Sequence, residues 1–175
     1  MQNAVPLFAR WLFAVSLAVW LGGLLGIGAI VAPVTAHFVE AHSGLDADPG
    51  RKAALLSAIV GGSLRVFNVV CYACGALLLA SQAMLWRRTP RRVAMASLAV
   101  TLLLTASVFV LSLVLFPLMD AAQAAGQMNT FDLMHKRYEA VSTGFQFPLL
   151  LALALLGAAR DSSPDPAQYP HSWVF

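Results

Sequence analysis

The sequence predicts an all-α integral membrane protein, a bundle of four transmembrane helices with both termini on the cytoplasmic side. Three observations carry this reading. Of 175 residues, 59% are hydrophobic and only 11% charged, whereas a soluble domain carries about 25% charged residues. Four apolar runs approach or exceed the roughly 20 residues that cross a bilayer as a helix. Between the second and third runs stands "RRTPRR" (residues 87–92), a dense block of arginines of the kind that stays cytoplasmic.

The first span runs from about Leu7 to Val34. Its apolar stretch, from Trp11 onward, is longer than the 7–15 residues of a signal-peptide core, so it is read as a retained helix. The second covers about Val66 to Trp86, the third Val93 to Leu118 and the fourth Thr143 to Ala159. Helices are required because lipid offers no partner to an open backbone amide. The apolar stretch "AALLSAIVGGSLR" before the second span would carry it well past a bilayer. A bend or interfacial helix near Gly61-Gly62 is therefore expected. The whole reads as one domain over residues 1–160, followed by a polar tail, 161–175.

Orientation rests on local charge density, because the overall tally is close. Six basic residues (Arg10, Arg87, Arg88, Arg91, Arg92, Arg160) fall on the inner side and five (Arg51, Lys52, Arg65, Lys136, Arg137) on the outer. Trp11 and Trp86 fall at the inner interface, where indoles prefer to sit. The net charge of +3 then reads as a topology signal and implies no nucleic-acid partner. The partners implied are the lipid bilayer and either another membrane protein or a second copy of the chain, with a bacterial-type inner membrane as the expected address.

Four crossings place the loops after the first and third spans on one side. His37, Glu40, His42, Asp46 and Asp48 therefore share a compartment with Asp120, Asp132, His135 and Glu139. His37 and Glu40 are three apart and His135 and Glu139 four apart, so each pair shares a helical face. Imidazole and carboxylate are natural ligands of zinc, and imidazole also suits copper. The leading reading is a solvated connector with local pairs, for example Asp132 with Lys136 in acid-first order, and a metal site is the alternative. Cys71 and Cys74 form "CYAC" inside the second span. They read first as packed thiols and second as soft ligands for Cu(I), with Met119, Met128 or Met134 nearby. No other cofactor is implied.

Span one carries Ala14, Ala18, Gly22 and Gly26 at four-residue spacing. Such a ridge lets a second backbone approach closely. It is read as packing inside the chain, with a homodimer seam as the alternative. Span three offers Ser97, Thr101, Thr105 and Ser112 along one face, able to bond back along the helix or across to a neighbour. Pro33 and Pro117 stand near the outer ends of spans one and three and are expected to kink or end them. Their matching placement suggests two related hairpins. Arg65 and Asn68 mark the outer start of span two, with Asp120, Glu139 or Glu40 as counter-ions, or with Arg65 reaching to water.

"VWLGGLLGIGAIVAPV" (19–34), "LVLFPLMDA" (113–121) and "FDLMHKRYEAVSTGFQFPLLLALALL" (131–156) resemble the transmembrane-protein-205-like domain family, small four-helix membrane proteins. The anchors are Trp20-Leu21-Gly22-Gly23, Ala32-Pro33, Phe116-Pro117, and Phe131 with His135. The "WLGG" helix is also similar to part of the copper resistance protein D membrane domain. That group places a histidine early in this helix, where this chain reads "LFARWLF". The resemblance thus implies a fold and a membrane address, and no reaction. No nucleotide loop, nucleophile elbow or HExxH helix is present. The expected function is that of a non-catalytic accessory or scaffold subunit acting by helix–helix contact. Metal handling and small-solute transport are the alternatives.

Overall fold

The computed structural model describes residues 4–42 and 49–161, and every element among them is helical. Seven α-helices result: α1 (Ala4–Leu25), α2 (Ala32–His42), α3 (Pro49–Leu85), α4 (Arg91–Phe109), α5 (Phe116–Ala124), α6 (Met128–Glu139) and α7 (Phe147–Asp161). Short π-helical turns fuse α1 to α2, α4 to α5 and α6 to α7. Four continuous helices emerge, Val5–Val39, Ala58–Arg88, Arg91–Ala124 and Met128–Arg160, each long and apolar enough to cross a membrane.

All four outrun the apolar segments of the sequence. Hydropathy marks where a helix meets lipid, but backbone hydrogen bonding continues wherever neighbouring residues permit it. The fourth span shows this most clearly. The polar helix α6 precedes Thr143 and enters the span without a break.

The expected bend at Gly61-Gly62 is not formed. Helix α3 runs unbroken through both glycines for 37 residues, about 55 Å at 1.5 Å per residue. Glycine weakens a helix by about 1 kcal/mol relative to alanine but removes no hydrogen bond, so continuity is cheap to keep.

The prolines do not end their helices either. The π-helical turns cover Gly26–Val31, Val110–Leu115 and Ala140–Gln146. Each stops two residues before a proline, namely Pro33, Pro117 and Pro148. Proline lacks an N–H and crowds the carbonyl one turn earlier. One extra residue in the preceding turn accommodates both defects. The device occurs three times, so it does not mark a duplicated pair of hairpins.

Consecutive spans pack side by side, and the ring closes where α7 meets α1. Toward the end carrying the start of α1, the end of α7 and the 86–90 connector, the core holds Trp20, Leu78, Leu104, Leu150 and Leu153, all wholly buried. A second cluster at the distal end joins Leu111, Leu115, Phe116, Met119 and Tyr138, tying α6 to span three.

The span-three hydroxyls bond in both directions. Thr101, Thr105 and Ser112 donate back to the carbonyls of Ser97, Thr101 and Val108 at 2.8–2.9 Å. Gln82 Nε2 reaches Thr101 Oγ1 at 2.7 Å, and Tyr72 bonds Ser112. These contacts stitch span two to span three.

The small-residue ridge of span one departs from the expected internal packing. Ala14, Ala18 and Gly22 are exposed and Gly26 is half-exposed. Their face lies opposite Phe13, Ser16 and Trp20, which point inward. The glycine used inside the chain is Gly23, where a Cβ would collide with the Phe67 ring. Gly157 plays the same part, since a Cβ there would stand 2.8 Å from Phe13.

Candidate functional site

Spans one and four touch through α1 and α7 and line opposite walls of a cleft at the distal end. The cleft encloses about 540 Å³. Its span-one wall, Leu24, Ile27, Gly28, Ala29 and Ala32, is apolar and built on the π-helical turn before Pro33. The span-four wall is polar, carrying His135, Tyr138, Glu139, Ser142, Thr143 and Gln146. Phe67, Asn68 and Leu111 form the back.

Helical spacing explains the polar wall. Tyr138, Ser142 and Gln146 recur every four residues, as do His135, Glu139 and Thr143, so two adjacent stripes face the same way. Most of these groups are partnered. Gln146 Nε2 donates to Ser107 Oγ at 2.8 Å, and Ser142 Oγ donates to the Tyr138 carbonyl at 2.9 Å. Asn68 and Tyr138 line the cleft together. His135 Nε2 stands 3.3 Å from a Glu139 carboxylate oxygen, and its ring stacks on Phe131 with centroids 6.0 Å apart. His135 Nδ1 is buried and has no hydrogen-bond partner among the described residues. Beyond Leu24 and Gln146 the packed core begins, so the cleft is closed toward the terminal end.

The residues singled out in the sequence fall into separate places. His37 is exposed on α2 and does not line the cleft that holds His135 and Glu139. The side chains of Glu40 and His42, together with Asp46 and Asp48, lie outside the described residues. Cys71 and Cys74 are free thiols buried among Trp20, Phe67 and Leu104. Met119 and Met134 belong to the distal cluster, and Met128 is exposed. Among the described residues, no three His, Cys, Asp or Glu side chains gather as a metal site.

Arg65 pairs with Asp120, one of its expected counter-ions, and its guanidinium lies 5.0 Å from the Phe116 ring centroid. Both charged side chains remain open, at 63% and 47% exposure, so the pair is superficial. Asn68, one turn on, is 5% exposed and faces the cleft. Sequence reading missed Tyr138, Ser142 and Gln146. Their four-residue spacing, continuing the His135–Glu139 face into the apolar span, was the available signal.

Comparison of the chain with family models, with curated proteins and with solved structures finds no match.

Proposed function

We propose that this chain is a non-catalytic integral membrane protein that works by contact, as an accessory or scaffold subunit whose first span docks against another membrane polypeptide. One observation carries the reading: Ala14, Ala18 and Gly22 form a ridge turned away from the chain's own core. A flat, small-residue ridge gains little from lipid tails but lets a second helix approach closely. The partner is a different membrane protein or another copy of the chain. Resemblance to the transmembrane-protein-205-like domain agrees with a four-helix membrane scaffold without a reaction of its own. Arg87, Arg88, Arg91 and Arg92 in one short connector support cytoplasmic termini in a bacterial-type inner membrane.

Purification in mild detergent after crosslinking tests this. The wild type is expected to carry a partner or a second copy. Gly22→Leu is expected to lose it while keeping its own thermal stability. A wild-type chain that always emerges alone defeats the reading.

The cleft favours a second reading, capture of a small amphiphile. One wall is apolar and the other polar, and among the described residues Glu139 is the one acid in the lining, with no lysine or arginine beside it. A neutral or cationic head on an apolar body matches that lining. Closure of the cleft toward the core supports holding a molecule over conducting one. A long-chain amine binding better than the matching alkyl phosphate, with the preference lost in Glu139→Gln, is the expected result; equal binding of the two argues against it. Copper or zinc handling has less support, because His37 stands apart from the cleft and the cysteines are packed in the core.

A further inference from the structure

All three π-helical turns lend residues to the distal cleft: Ile27 and Gly28 from the first, Leu111 from the second, Ser142 and Thr143 from the third. Single π-helical turns gather at functional sites, and the first one here frees a main-chain group. The Ala32 N–H donates to the Ile27 carbonyl, five residues back. The next carbonyl, that of Gly28, would take its proton from residue 33, which is proline and has none. Gly28 therefore has no donor within its own helix.

Glycine has no side chain, so what Gly28 gives the cleft wall is main chain. A Cβ there would meet nothing within 4 Å, so the space beside it is open. At membrane depth, a backbone group freed from its helix is tolerated where it lines a cavity. In transporters such carbonyls serve as cation ligands.

Across the cleft, the span-four hydroxyls spend their own protons. Ser142 Oγ donates to the Tyr138 carbonyl at 2.9 Å and Thr143 Oγ1 to the Glu139 carbonyl at 2.6 Å. Their lone pairs remain, and the Glu139 carboxylate joins them in the lining. Acceptors thus stand on both walls, and an occupant that brings several protons can use both.

We infer that the distal cleft selects a primary ammonium head, whose three N–H donors serve the Gly28 carbonyl on one wall and the span-four acceptors on the other. The inference rests on the amphiphile reading of the cleft given above and narrows its head group from charge to hydrogen-bond donation. A quaternary ammonium carries the same charge and no N–H.

The probes are dodecylamine and its trimethylammonium analogue, bound to the full chain in neutral detergent and read by native mass spectrometry. The primary amine is expected to bind about tenfold tighter. Pro33→Ala lies at an exposed position outside the lining and gives residue 33 an N–H for the freed carbonyl. It is expected to cut the preference about fivefold and to leave the trimethylammonium analogue unaffected. Pro117→Ala, the matching change in span three, is expected to leave both unchanged. Both variants are expected to melt no lower than the wild type, because proline inside a helix is unfavourable. Equal binding of the two probes, an unchanged preference in Pro33→Ala, or an equal loss in Pro117→Ala would overturn this inference and leave the amphiphile reading standing. Retention of neither probe would end both.

Discussion

Gln146 Nε2 donates to Ser107 Oγ at 2.8 Å, joining the fourth span to the third where the cleft meets the packed core. Both side chains are buried, at 1% and 6% exposure. Within a membrane, an interhelical hydrogen bond contributes about 0.6 kcal/mol on average and up to about 1.7. Gln146→Leu and Ser107→Ala are each expected to lower stability within that range. The double variant is expected to lose less than the sum, because one bond is removed twice. Denaturant unfolding in mixed micelles measures all three, and strict additivity would show that the bond contributes nothing.

Gly22 and Gly23 are neighbours in sequence with opposite duties. A Cβ at Gly23 meets the Phe67 ring, whereas one at Gly22 meets nothing within 4 Å. Gly23→Val is expected to destabilise the fold by about 1–3 kcal/mol through overpacking, and Phe67→Ala to recover part of that loss in the double variant. Gly22→Val is expected to leave the monomer's melting temperature in place. Thermal unfolding of the four variants in detergent distinguishes the two faces of span one.

The Arg65–Asp120 pair is open to solvent on both sides, so its contribution to stability is expected to be below about 1 kcal/mol. Arg65→Gln and Asp120→Asn should shift the unfolding midpoint by less than that, and the difference from wild type should shrink in high salt. A loss of several kcal/mol would mean the pair is buried in the membrane-embedded protein.

Cys71 and Cys74 are enclosed by the largest core side chains. Maleimide labelling of folded protein is therefore expected to be slow at both positions and fast after denaturation. If the metal reading held instead, elemental analysis of the purified chain would find copper or zinc, lost on replacing both cysteines or His135 with alanine. Tight copper without dependence on any of these residues would place a metal site elsewhere.

The membrane class and the number of spans were legible in the sequence because apolar runs report directly on lipid contact. Span ends were less legible, since helix α6 is polar yet continuous with α7. The small-residue ridge was visible as a spacing, but spacing says which residues share a face and not what that face meets. Gly22 and Gly23 differ by about 100° around the helix, enough to exchange an open outward face for the Phe67 ring. Proline announces a missing donor, while the structure decides whether the helix stops or widens by one residue. Of the cleft, His135 and Glu139 stood out as strongly polar side chains beside an apolar run. Tyr138, Ser142 and Gln146 blended into that run, and their shared role depends on span one lining the opposite wall.

The most direct test places single cysteines at Ala18, on the outward ridge, and at Leu113, on an exposed face of span three. Each is labelled with a photoreactive maleimide in native membranes. Ala18 is expected to crosslink to a discrete membrane polypeptide, and Leu113 to lipid alone. Lipid adducts at both positions, with no protein product from Ala18, would contradict a contact function for this face.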